Sequence, residues 1–99
     1  MEILKPAIAG TLESSDCMVT VEPGMGDVRL ELESAVIRQF GPQIRKVIAE
    51  TLERLGVNNV NIHVVDKGAL DCTIKARIEA AVFRNNDIVQ NIPWGGAIK

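Results

Sequence analysis

The side chains best suited to chemistry are the neighbouring hydroxyls of Ser14 and Ser15, which lie in the polar run of residues 13–16. This run separates two short runs of small and β-branched apolar residues, 7–12 and 17–21, a pattern that predicts a β-hairpin with a four-residue loop. Ser and Asp favour such loops because their side chains hydrogen-bond the nearby backbone. The sequence therefore predicts an exposed serine hydroxyl at a hairpin tip, which either carries chemistry or only forms the turn.

The rest of the chain offers no set of residues that would make such a serine a catalyst. The only histidine, His63, is predicted on the polar face of a strand, where a lone histidine is usually a surface residue. No Gly-x-Ser-x-Gly elbow, glycine-rich phosphate loop or metal-ligand spacing is present. Asp66 and Asp71 fit structural roles around a turn and a helix start. We therefore predict no catalytic residue, no metal site and no enzymatic activity of the chain alone.

The composition indicates one small domain over residues 1–99 that binds neither nucleic acid nor membrane. Its 99 residues are 46% hydrophobic, enough to form a core without a disulfide or a metal. Nucleic-acid binders need excess Lys and Arg or stacking rings, whereas 11 basic residues face 13 acidic ones and 3% of residues are aromatic. No run approaches the roughly 18 apolar residues of a membrane span. With two distant cysteines and no cationic leader, we expect a cytoplasmic protein.

Hydrophobic periodicity predicts four strands. After the hairpin, residues 28–33 alternate apolar and charged side chains, as a strand with one buried face does. We predict that this third strand continues the sheet antiparallel to the second, because the connection between them is short. Alternation over residues 60–65 predicts the fourth strand. Gly10 is expected to mark a bulge or a close approach of another backbone.

Two apolar stripes at helical spacing predict two helices. Gly41 and Pro42 are expected to end a helical turn at residues 35–40, so that Pro42 begins the main helix and Gly56 caps it. The first stripe comprises Ile44, Val47, Ile48, Thr51, Leu52 and Leu55. The second comprises Leu70, Ile74, Ile78, Ala81 and Val82. Residues 86–99 have no period and are predicted to be a loose tail.

The order of elements predicts an α+β fold, β-β-β-α-β-α. It is a two-layer sandwich in which two helices cover one face of a mostly antiparallel sheet. In such a fold, a serine at a hairpin tip can serve without a base if another enzyme activates it. The hydroxyl then needs only exposure, because the modifying enzyme supplies the base and the attached group supplies the reactive atom. This is the logic of a carrier protein.

Four segments in matched order resemble a known carrier family over nearly the whole chain. They are residues 9–16, Phe40-Gly41 with its helix, residues 66–72 and Pro93-Trp94. Together they look like the acyl carrier protein, or gamma subunit, of citrate lyase. The resemblance implies that the serine after Leu-Glu, here Ser14, carries a 2'-(5''-phosphoribosyl)-3'-dephospho-coenzyme A group through a phosphodiester. Ser15 stands beside it where relatives can have glycine, so two hydroxyls are available.

The resemblance also implies the partners and the reaction, which belongs to citrate fermentation. A prosthetic-group transferase attaches the arm, whose thiol holds an acetyl group. The alpha (transferase) subunit exchanges acetyl for citryl with release of acetate. The beta (lyase) subunit splits the citryl thioester into oxaloacetate and acetyl-carrier. The family's fold is expected to be strand-rich, unlike the helical bundle of fatty-acid carriers.

Two other functions remain open at this point. The carrier subunit of malonate decarboxylase resembles the citrate lyase carrier in its prosthetic group, and an unmodified α+β interaction module explains the absence of a catalytic set equally well. Trp94 is expected either to cover the open sheet face or to dock on a partner subunit. Glu13 and Asp16 are expected to repel an anionic arm from the carrier surface.

Overall fold

The computed structural model describes residues 3–85, which form a four-stranded sheet with two helices on one face. The elements are β1 (Ala7–Gly10), β2 (Cys17–Pro23), β3 (Val28–Ser34), α1 (Ile37–Arg54), β4 (Val60–Asp66) and α2 (Asp71–Asn85). The predicted α+β class and element order are confirmed. The predicted tail at residues 86–99, with Trp94, lies outside the described residues, and its role stays a prediction.

The sheet order is β1-β2-β4-β3, with β4 antiparallel to β2 and parallel to β3. The prediction that β3 pairs with β2 is therefore wrong, because β4 lies between them. The side chains explain this order. Alternate residues of β4 from Val60 to Asp66 are buried, which suits a central strand. β3 carries Arg29, Glu31 and Glu33 in exposed positions, and charged side chains protect an edge strand from further pairing.

The core lies between the sheet and the two helices. The β2 side chains that face the helices are buried beside their register partners on β4, for example Val19 against Val64 and Val21 against Ile62. The predicted stripe of α2 is buried at Ile74, Ile78, Ala81 and Val82. Leu70 is the exception, because it precedes the helix and is 71% exposed. The stripe therefore begins one helical turn later than the sequence predicts.

Helix α1 is continuous from Ile37 to Arg54 and contains Pro42, so the predicted break at this proline is wrong. Pro42 is the sixth residue of the helix, where its missing N–H forgoes one hydrogen bond, to the carbonyl of exposed Arg38. Water can reach that carbonyl near the open end of the helix, which limits the cost of the proline. The Val36 N–H donates to Ser34 Oγ (3.1 Å) just before the helix, whose N-cap residue is Val36 and has no side-chain cap.

The apolar stripe and the C-terminal cap of α1 are confirmed. The stripe residues Ile44, Val47, Ile48, Thr51 and Leu52 are all buried, and Leu55 is partly buried against the core. Thr51 is accommodated because its hydroxyl donates to the Val47 carbonyl (2.7 Å). Gly56 has φ 72°, its N–H donates to Glu53 O (3.0 Å), and the Val57 N–H donates to Leu52 O (2.9 Å). This pair of bonds is the Schellman arrangement that only a left-handed residue closes easily.

Candidate functional site at the hairpin tip

The loop between β1 and β2 spans residues 11–16 and is called the tip loop below. It is longer than the predicted loop of residues 13–16, because β1 ends at Gly10 rather than at Leu12. Gly10 has φ +92°, and a Cβ atom there would overlap the carbonyl oxygen of Cys17. The prediction of a close backbone approach at Gly10 is therefore confirmed. A glycine is required where the chain leaves the strand to form the tip loop.

The two serines occupy the centre of a β-turn, but their backbones differ. The Asp16 N–H donates to the Glu13 carbonyl (3.2 Å), which places Ser14 at the second turn position and Ser15 at the third. Ser15 has φ 65°, a left-handed conformation that glycine adopts more easily than serine. The third position of this turn thus has a backbone requirement, and a glycine there satisfies it without any hydroxyl.

The tip loop is joined to the segment that follows β4. The Ser15 N–H donates to the Lys67 carbonyl (2.9 Å), and the Lys67 N–H donates to the Asp16 carbonyl (2.9 Å). These two bonds continue the β2–β4 ladder beyond the pair Cys17–Asp66. Ser14 lies outside this ladder. Its side chain is exposed, and none of residues 3–85 hydrogen-bonds its hydroxyl.

Asp16 holds the tip loop together through both of its carboxylate oxygens. Its Oδ1 accepts bonds from Arg77 Nε (2.9 Å) and the Cys17 N–H (2.7 Å). Its Oδ2 accepts bonds from Arg77 Nη2 (3.0 Å) and Thr11 Oγ1 (2.7 Å). The bonds from Arg77, then Thr11, lower the pKa of Asp16 to about 2, against the opposing effect of burial. Thr11 Oγ1 also accepts the Glu13 N–H (3.2 Å), so the network reaches the start of the turn.

The structure revises the electrostatics expected at the tip. Asp16 is a half-buried carboxylate paired with Arg77, so its charge is offset inside the protein. Glu13 is exposed, so we expect Glu13, more than Asp16, to repel an anionic group. Sequence reasoning missed Arg77, which lies 61 residues from Asp16. The sequence feature that could have indicated Arg77 is its position next to buried Ile78, beside the apolar stripe of α2.

A second aspartate supports the turn to which the tip loop is attached. Asp66 is buried, and it accepts bonds from Ser34 Oγ (2.8 Å) and the Ala69 N–H (2.8 Å). The Ala35 N–H donates to the Asp66 carbonyl (3.1 Å), which ties in the start of α1. The structural role predicted for Asp66 agrees with these bonds. Asp71 begins α2 and accepts a bond from Gln43 Nε2 (3.0 Å), which also fits a structural role.

The other reactive side chains do not join the site. Cys17 is fully buried, and burial, followed by the charges of Asp16 and Asp66, raises the pKa of its thiol to about 11. His63 lies on the sheet face opposite the helices, where Nε2 is 2.6 Å from Glu33 Oε2. Within residues 3–85, no group of acidic, His and Cys side chains could hold a metal ion, and no helix is long and apolar enough to cross a membrane.

An apolar groove lies between the start of α1 and the segment that joins β4 to α2. Its lining includes Phe40, Gln43, Ala69 and Leu70. Phe40 is 51% exposed and Leu70 is 71% exposed, which is unusual for such large apolar side chains. The groove begins at Gly68, directly after the residue that hydrogen-bonds Ser15.

Comparison with known proteins identifies the class of this fold and site. The family model described as "ACP: Malonate decarboxylase delta subunit (MdcD)" matches residues 4–85. A chain of a Pseudomonas malonate decarboxylase hetero-tetramer, solved in complex with malonate, has the same fold. Its TM-score is 0.68 at 20% sequence identity, covering 86% of this chain and 88% of that chain. The molecule is thus an acyl carrier protein built on an α+β fold.

Curated relatives define the family within this class. The citrate lyase acyl carrier protein of Clostridium perfringens is 57% identical over 96 residues, which cover 96% of this chain and 94% of the relative. That of Streptococcus uberis is 58% identical over 85% of this chain and 83% of the relative, and that of Pectobacterium atrosepticum is 50% identical over 95% and 97%. The chain belongs to the citrate lyase acyl carrier protein family, as its sequence motifs predict. Acyl carrier proteins of this kind carry a prosthetic group.

Proposed function

We propose that the chain is the acyl carrier subunit of a citrate lyase and that Ser14 carries its prosthetic group. Ser14 is the serine that follows Leu-Glu in the run that resembles the family, and its hydroxyl is exposed and free of hydrogen bonds within residues 3–85. Ser15 instead occupies a left-handed position and is bonded through its N–H to Lys67. Glycine would satisfy the backbone requirement at position 15, so this position needs no hydroxyl. We therefore assign the attachment to Ser14.

The residues at the tip fit a 2'-(5''-phosphoribosyl)-3'-dephospho-coenzyme A group attached through a phosphodiester. Ser14 Oγ forms a bond to the phosphorus of the ribosyl 5''-phosphate while the bond from that phosphorus to a diphosphate leaving group breaks. The hydroxyl proton passes to a base of the prosthetic-group transferase, because no base lies within hydrogen-bond distance of Ser14 among the described residues. When bound, the group supplies a thiol that holds acetyl or citryl as a thioester.

The carrier itself is proposed to be non-catalytic. The chain presents the thioester, and the alpha and beta subunits supply the transferase and lyase residues. Cleavage of the carbon–carbon bond in citryl leaves negative charge next to a carbonyl, and a thioester stabilises that charge better than a carboxylate does. Preorganised donors in a partner's active site are the means to stabilise it further. The exposed tip and the groove at Phe40 and Leu70 suit such partners, and a cytoplasmic location fits this role.

A malonate decarboxylase-type carrier is the second candidate. It is favoured by the description of the matching family model and by the structural neighbour. The sequence identities weigh against it, since citrate lyase carriers reach 59% whereas the malonate decarboxylase chain is 20% identical. An unmodified interaction module remains the alternative if no group is attached. The two carriers are separated by which partner subunits restore an active complex.

The test is to incubate the unmodified protein with purified prosthetic-group transferase and the activated, diphosphate-leaving form of the group. We expect one mass increment per chain, and fragmentation of the tip-loop peptide should locate it on Ser14. The loaded protein should then restore citrate cleavage when mixed with citrate lyase alpha and beta subunits. Absence of the increment, or activity only with malonate decarboxylase subunits, would contradict the proposal.

A further inference from the structure

Among residues 3–85, Arg77 is the residue most distant in sequence that hydrogen-bonds the tip loop. It lies in the middle of α2, and its guanidinium bonds both oxygens of Asp16, at 2.9 Å and 3.0 Å. Its aliphatic stem passes over Gly10, since a Cβ at that glycine would lie 3.2 Å from Arg77 Cδ. The Arg77 side chain of α2 therefore contacts both ends of the tip loop, at Gly10 and at Asp16.

The tip loop is held by this contact together with the backbone bonds to Lys67, and the Ser14 side chain forms no hydrogen bond with residues 3–85. The turn around Ser14 is closed by the Asp16 N–H, and Asp16 is oriented by Arg77 and Thr11. Ser15 also adopts a left-handed backbone, which costs an L-residue free energy and has to be held by its surroundings. Asp16 therefore links the turn around Ser14 to helix α2.

The planar fork of arginine is suited to this task. It matches the two oxygens of a carboxylate and so fixes the direction of that carboxylate as well as its distance. Lysine carries the same charge as a single point and cannot form both bonds in one plane. The low pKa of Asp16 agrees with such a pair, because the carboxylate stays ionised throughout the neutral range.

We propose that Arg77 is a positioning residue for the modification of Ser14: by holding Asp16, it keeps the tip loop in the conformation that the prosthetic-group transferase recognises. This inference rests on the proposed function of Ser14. A transferase that binds only this conformation has an apparent affinity for the carrier that is reduced by the fraction of molecules in other conformations. The effect belongs in the KM for the carrier and not in the kcat of the bound complex.

The decisive experiment measures loading kinetics by intact mass, with the unmodified carrier as the varied substrate. For Arg77→Lys, which keeps the charge, we expect the KM for the carrier to rise about tenfold with kcat nearly unchanged. Thr11→Val, which removes the hydroxyl that bonds Asp16, should raise KM in the same direction but less. Lys75→Gln removes a charge from an exposed position of α2, and Ile48→Val weakens the core; both should load with the KM of the unsubstituted protein.

Amide exchange in the unmodified protein provides a readout that needs no transferase. Exchange at Ser15 and Asp16 should be faster in Arg77→Lys, while exchange at Val64 stays the same. An unchanged KM in both Arg77→Lys and Thr11→Val would overturn the proposal. So would an equal rise of KM in Ile48→Val, because a general loss of stability would then explain the effect. If the unsubstituted protein gains no mass at all, the proposed function fails instead.

Discussion

Two neighbouring segments of this molecule rest on aspartates that are held in opposite ways. The tip loop is organised by Asp16, which lies near the surface and is bonded by a cationic side chain. The β4–α2 turn, residues 67–70, is organised by Asp66, which is 1% exposed and accepts bonds from a hydroxyl and a backbone N–H. The buried aspartate supports the scaffold, and the paired one shapes the loop that carries the exposed side chain of Ser14.

The difference teaches where rigidity is needed in a carrier. A loop that keeps a hydroxyl exposed cannot be covered by the core, so burial is not available to hold it. A charged fork supplies directional bonds at the surface without covering the tip. The β4–α2 turn has no such restriction, and a buried carboxylate with satisfied hydrogen bonds can anchor it.

The largest effect is expected from the smallest chemical change in the tip loop. Ser14→Ala should abolish the mass increment produced by the transferase, because no oxygen remains to bond phosphorus at that position. The free energy of unfolding should change by less than about 0.5 kcal/mol, since the hydroxyl is exposed and bonds none of the described residues. Intact mass and urea titration measure the two quantities. An increment that survives here and disappears in Ser15→Ala would move the site by one residue.

Substitution of the buried aspartate should affect stability the most. Asp66→Ala leaves the Ser34 hydroxyl and the Ala69 N–H without their acceptor, so we expect a loss of about 2 to 4 kcal/mol in urea titration. The matched control is Asp71→Ala, at an exposed position, with an expected loss under about 1 kcal/mol. Equal losses in the two variants would show that burial does not distinguish these aspartates.

The paired aspartate should make stability depend on pH in the acid range. The pKa of Asp16 is lowered from 3.8 to about 2 in the folded protein. Its contribution is therefore complete above about pH 4 and is lost as the pH falls towards 2, with a magnitude of about 1 to 2 kcal/mol. Unfolding titrations from pH 2 to pH 6 should show a steeper acid loss in the unsubstituted protein than in Asp16→Asn. Parallel profiles would mean that the Arg77 pair does not stabilise the fold.

The smallest effect is expected at the second serine. Ser15→Gly should leave loading intact and raise the free energy of unfolding by up to about 1 kcal/mol, because glycine adopts the left-handed backbone without strain. Thermal or urea unfolding, together with intact mass after loading, checks both statements. A loss of loading in this variant would assign the Ser15 hydroxyl a chemical role and weaken the contrast between the two serines.

Local patterns in the sequence were sufficient for the elements and for the candidate hydroxyl. The stripe from Ile44 to Leu52 and the glycine cap at Gly56 are consequences of helical geometry, which acts between residues a few positions apart. Gly10 and the polar run after it indicated a tight hairpin for the same reason. The end of β1 was misjudged, because the left-handed turn at Gly10 is set by the Cys17 carbonyl on the opposite strand. The start of α1 was also misjudged, because the helix continues through Pro42.

The tertiary structure alone decided the order of the strands and the support of the site. Periodicity states which face of β3 is buried but not which strand lies beside it, and the insertion of β4 depends on packing both helices on one face. The bond between Arg77 and Asp16 likewise joins residues 61 positions apart, which no local spacing specifies. Local interactions between residues close in sequence therefore place Ser14 in a hairpin loop. The orientation of that loop depends on the packing of α2 against β1 and β2.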